Sequence, residues 1–161
     1  MQDNKNKLVQ AVKDLIGLEY IESKWGDGTG SVLLLNFARS DYLNLPSALN
    51  QFEQPIKLMI CCAWRIMTKE KAVLSWRDIT IRDQALNYAL DSLKQSKITK
   101  ADYQSSTNDL NLYFSNGSSL SIFCDVTNNY ESDDNYVLYS TSEILFVDFE
   151  GIVRTEAYKK H

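Results

Sequence analysis

The chain's densest group of acid–base side chains runs from Asp125 to Tyr136. Asp125, Glu131, Asp133 and Asp134 stand within ten positions, with Tyr130 and Tyr136 beside them. Asp148 and Glu150 follow and extend the same charge if the last hairpin lies alongside. Carboxylates in this density suit three kinds of chemistry. A calcium loop of the EF-hand type needs a central glycine and a terminal glutamate that this stretch lacks. A glycosidase-like carboxylate pair needs a set separation, which spacing along the chain cannot supply. Docking of a basic protein needs only aromatics that anchor and carboxylates that steer encounter. The residues therefore point to a docking surface for a basic protein, or to a solvated loop. Asp125, Tyr130, Glu131, Asp133, Asp134, Tyr136, Asp148 and Glu150 are its candidate contacts.

Other chemistry is thinly provided. The one histidine is His161, at the end of the sequence, so no Ser-His or Cys-His nucleophile can be assembled around a core site. Cys61, Cys62 and Cys124 form no CxxC and have no histidine near them, which argues against zinc. The expectation is three reduced, mostly buried thiols, with no metal and no cofactor. Gly26-Asp27-Gly28-Thr29-Gly30 resembles a phosphate-binding loop in its glycines only. It lies between two strand patterns, without the Lys and Ser/Thr such a loop requires, and reads as a hairpin loop.

The 161 residues suit one domain. A net charge of −4 and 44% hydrophobic residues indicate a globular chain that does not bind nucleic acid, which calls for a basic surface. The N-terminal residues lack a secretory pattern, and no apolar run approaches a membrane span, so the expected location is cytoplasmic and no membrane partner is expected.

Periodicity supplies the scaffold. Leu8, Val12, Leu15 and Ile16 mark a helix over 4–16, stopped by Gly17, and Leu86, Leu90 and Leu93 mark a second. Thr80 and Asp83 suit its start. Strands are expected over 18–23, 31–38, 56–66, 73–76, 98–104, 110–114, 120–124, 136–140, 144–149 and 152–156. A short turn or helix is expected around 46–52, and a frayed tail over 158–161. Asn116-Gly117 between alternating runs is a strong hairpin signal. Trp64 and Trp76 fall within strands and read as core; Trp25, beside the glycine loop, reads as partly exposed.

The two halves echo each other. Leu33, Leu35 and Phe37 recur 77 positions later as Leu110, Leu112 and Phe114, and Leu8 and Leu15 recur 78 positions later as Leu86 and Leu93. Leu58 to Cys62 matches Leu120 to Cys124 at an offset of 62, which leaves 15 extra residues in the first half after Ala38. The expected fold is α+β: two helix-plus-antiparallel-meander units, about 1–79 and 80–161, related by pseudo-duplication and packed as one domain. Each sheet would turn its Leu/Phe face to a helix, with Leu35, Phe37, Leu112 and Phe114 buried.

Leu93 through Phe123, with its strand at 98–104 and the hairpin Asp109-Leu110-Asn111-Leu112-Tyr113-Phe114-Ser115-Asn116-Gly117 followed by Leu120-Ser121-Ile122-Phe123, is similar to small immunity proteins of contact-dependent growth inhibition and related polymorphic toxin systems. Asn135 to Leu138 and Leu145 to Val147 also fit that pattern. The resemblance implies a cytoplasmic, non-enzymatic protein that neutralises one cognate toxin, often a nuclease, by occluding its active site. It carries no catalytic residue to this chain. The alternative is a small carboxylate-based enzyme or ligand-binding domain with a cleft between the halves. Homodimerisation stays open.

Overall fold

The computed structural model describes residues 2–26, 30–42, 55–70, 73–75, 83–126 and 133–158. The fold is α+β. Among these residues lie two helices, α1 (Gln2–Asp14) and α2 (Asp83–Ser92). The first eight strands are β1 (Glu19–Gly26), β2 (Gly30–Ala38), β3 (Ile56–Ile60), β4 (Ala63–Met67), β5 (Val73–Ser75), β6 (Ile98–Tyr103), β7 (Leu110–Phe114) and β8 (Ser119–Phe123). The last three are β9 (Asp134–Tyr139), β10 (Glu143–Asp148) and β11 (Val153–Ala157). The expected turn or helix at 46–52, the residues Thr80 and Trp76, and the tail beyond 158 lie outside the described residues.

Local chemistry explains the element ends. α1 buries Leu8, Ala11 and Val12 on one stripe, Leu15 continues it in the turn that follows, and the turn closes through Gly17, whose φ of +91° is one that side-chain-bearing residues resist. Gly117 takes a φ of +87° in the β7–β8 turn, where the Asn116 side chain accepts the Ser118 N–H at 2.9 Å. Gly26 pairs with Gly30, so the glycine segment links two strands as a hairpin.

The strands form two antiparallel sheets. One has the order β1-β2-β3-β9-β10-β11, the other β5-β4-β8-β7-β6. Two expectations change here. The run 56–66 is not one strand. It breaks at Cys61-Cys62, where both backbone N–H groups turn to the Asn135 carbonyl (2.9 and 3.1 Å), and the chain passes from the first sheet to the second. Nor does each half keep its own sheet. β4 and β5 of the first half join β8, while β9, β10 and β11 of the second half join β3. Exchanging β1, β2, β3 for β6, β7, β8 and β4, β5 for β9, β10 turns the order β1-β2-β3-β9-β10 into that of the second sheet.

The Leu/Phe faces also meet each other and not separate helices. Leu33, Leu35 and Phe37 on β2 and Leu110, Leu112 and Phe114 on β7 belong to one buried cluster. The echoed rings Phe37 and Phe114 stack across it, with centroids 6.5 Å apart and planes 24° from parallel. Two apolar sheet faces bury more surface against each other than either would against one short helix. The helices take the flanks: α1 packs on β11 and β6, an edge strand of each sheet, and α2 on β5. Leu35, Phe37, Leu112 and Phe114 are buried as expected, as is Trp64; Trp25 is half-buried against the core.

Candidate functional site

The acidic residues gather where the chain switches sheets, and Asn135 gathers them. It is fully buried at the start of β9. Its Oδ1 accepts the Asp125 N–H at 2.8 Å, and its Nδ2 donates to the carbonyls of Asp125 and Asp148, both at 2.9 Å. Its own carbonyl accepts from Cys61 and Cys62. A carboxamide has two donor hydrogens and an acceptor oxygen, and here each is used on backbone. One residue thus ties together three places: its side chain holds the exit of β8 and the end of β10, and its backbone carbonyl holds the β3–β4 crossover.

The β9–β10 register places Asp148 opposite Asp134, so the last hairpin does lie alongside the acidic stretch. The two carboxylates there are partly structural. Asp148 Oδ1 accepts the N–H groups of Glu150 (3.0 Å) and Ile152 (2.8 Å), closing the β10–β11 turn. Arg154 donates to Asp134 Oδ1 at 2.7 Å and sets its Nε 3.5 Å from Asp148 Oδ2, with its guanidinium over the Phe146 ring. Burial raises the Asp134 carboxyl above the ordinary value; Arg154 opposes that rise, and the neighbouring Asp148 and Asp133 add to it. Asp125, Asp133 and Glu150 are exposed. At this end, therefore, Arg154 pairs with two carboxylates, Asp134 and Asp148, and three more face water.

Not every expected contact belongs to this surface. Tyr136 is completely buried, so it cannot serve as an exposed anchor. It lies on the inward phase of β9 with Leu138, and its hydroxyl donates to the Asn108 carbonyl at 3.2 Å. Tyr130 and Glu131 lie outside the described residues. Sequence reasoning missed Asn135, Arg154, Asn108 and Asp109. Asn108 is buried at a φ of +62°. It accepts from the Tyr103 hydroxyl and donates to the Gly151 carbonyl at 3.1 Å. Asp109 Oδ1 accepts the Cys124 N–H at 2.7 Å. The adjacent Asn108-Asp109, a turn-prone pair before an alternating run, was the available signal. Asn135 and Arg154 gave none, because each matters through partners remote along the chain.

A second feature lies on the outer face of the six-stranded sheet. A groove of about 840 Å³ crosses β2, β3, β9, β10 and β11. Leu34, Met59, Ile144 and Tyr139 supply most of its floor, with Lys57 and Glu156 as charged groups. Since β2 and β3 come from the first half and β9 to β11 from the second, this groove spans the junction of the halves. No protein-family model matches the chain, and no curated protein matches it.

Proposed function

We propose that this chain is an immunity-type protein, cytoplasmic and non-enzymatic, that neutralises a cognate toxin by covering its active site. The carrying observation is the convergence on Asn135: it holds an acidic end on rigid backbone, with Asp125, Asp133 and Glu150 exposed and charge left over after Arg154 is paired. Preset carboxylates steer a basic cleft into register without the entropy cost of ordering them at encounter. The partner chemistry that fits is a basic nuclease domain, whose substrate phosphates the carboxylates would imitate. No helix among the described residues is long and apolar enough to cross a membrane.

The experiment is co-purification with a candidate toxin domain, comparing the native chain with the Asp125→Lys, Asp133→Lys, Glu150→Lys triple variant. These three positions avoid the Arg154 pairs, so the variant should stay folded. The native chain is expected to retain the toxin and block its activity, and the variant to release it. A variant that still protects would refute this docking face. The groove across the two halves supports a second reading, ligand binding; a small molecule retained by the purified protein in native mass spectrometry would favour it.

A further inference from the structure

The β4–β8 register pairs Ala63 with Phe123, Trp64 with Ile122 and Ile66 with Leu120. One step beyond Ala63 and Phe123, the same antiparallel register sets Cys62 opposite Cys124. Both cysteines fall on the inward phase, the phase of the buried Trp64, Ile66, Leu120 and Ile122. Neither backbone N–H of the pair reaches across: Cys62 donates to the Asn135 carbonyl and Cys124 to Asp109 Oδ1. Facing residues that exchange no backbone hydrogen bonds stand with Cα atoms about 4.5 Å apart and side chains at their closest. That separation lies inside the roughly 4.4–6.8 Å range that a disulfide spans. Cys124 donates to the Asn108 carbonyl at 3.2 Å, and the neighbouring Cys62 thiol raises its pKa.

We propose that Cys62 and Cys124 form a redox-active dithiol that closes to a cross-strand disulfide. The inference stands independently of the immunity reading. Cys62 belongs to the β3–β4 crossover and Cys124 to the exit of β8 toward β9, so the bond would join the two places where the chain changes sheets. The residue beside Cys124 is Asp125, which brings the acidic end under the same restraint. Cys61, adjacent in sequence, points to the opposite face and has no facing cysteine. The oxidant is a low-molecular-weight disulfide. Cys124, the more exposed of the two, attacks one sulfur of the reagent, loses its proton and expels one reagent thiol. Cys62 then attacks the Cys124 sulfur of the mixed disulfide and expels the second. Two thiols become one disulfide, and the reagent takes up the two electrons and two protons. The neighbouring Cys62 thiol, burial and the carboxylates of Asp109 and Asp125 hold the Cys124 thiol protonated, which makes the first step slow and alkali-promoted.

The test treats the native chain with oxidised glutathione, quenches with acid, alkylates in denaturant and maps the peptides by mass spectrometry. A Cys62–Cys124 linked peptide is expected, with Cys61 alkylated, and dithiothreitol should restore all three thiols. Cys61→Ser, which leaves the pair intact, should form the same link; Cys62→Ala should stop at a glutathione adduct on Cys124. The oxidised chain should unfold at a higher temperature than the reduced one. Three alkylatable thiols in the treated native chain, or a dominant link through Cys61, would overturn the proposal.

Discussion

Replacing Asn135 tests the centre of the acidic end directly. Asn135→Ala removes three side-chain hydrogen bonds but leaves the backbone carbonyl that receives Cys61 and Cys62. Each bond contributes on the order of 1 kcal/mol net, and a carbonyl left unpaired in the interior costs about 1–3 kcal/mol. Asp125 is exposed and can turn to water, whereas Asp148 is half-buried and cannot fully do so. The expected loss is therefore about 2–4 kcal/mol, less than three full orphaning penalties. Asn135→Asp should be worse at neutral pH. Its carboxylate would accept from Asp125 but could not donate to either carbonyl, and it would sit buried beside Asp134 and Asp148. Burial raises the folded-state pKa of such a group above its unfolded value. The native state then holds more protons than the unfolded one, so the variant's stability falls as pH rises through the folded pKa. Urea unfolding followed by tryptophan fluorescence at pH 5 and pH 7.5 would read both effects. A loss below roughly 1 kcal/mol for Asn135→Ala, or an Asn135→Asp deficit that does not shrink on acidification, would refute the assignment of the Asn135 side chain as the tie between the exit of β8 and the end of β10.

Two further outcomes follow from the packing and the ion pairs. Phe114→Ala should cost about 3–5 kcal/mol, and combining it with Phe37→Ala should cost less than the two singles together, because the rings stack on each other; additive losses in denaturant titrations would contradict that contact. Arg154→Ala should destabilise at pH 7 and progressively less toward pH 4. Asp134 already has a raised pKa from burial, and losing the guanidinium raises it further; the favourable protonated form is present in acid and lost as pH climbs. Thermal midpoints of native and variant chains across that range would check the sign.

Much of the architecture could be read from residue order. The 3.6-residue period in α1, the two-residue alternation in β2 and β7 and the Asn116-Gly117 turn are local signals. Each reports which face of an element sheds water, and the burial of Leu35, Phe37, Leu112 and Phe114 follows from that alone. The acidic cluster was visible too, since charge density needs no fold to be counted.

Pairing was not visible. The run from Ile56 to Ile66 reads as one strand because both of its parts are apolar on alternate positions, and nothing in those residues announces that Cys61 and Cys62 turn to Asn135. Tyr136 reads as an exposed aromatic beside acids until pairing sets it between Ile60 and Val147, both fully buried. Arg154 reads as one more charge until the hairpin sets it against Asp134 and Asp148. Alternation along a strand is a property of neighbours in the chain. Which strand lies beside which, and so which side chains meet, is decided by long-range burial of two sheets against each other, and the tertiary structure alone records that choice.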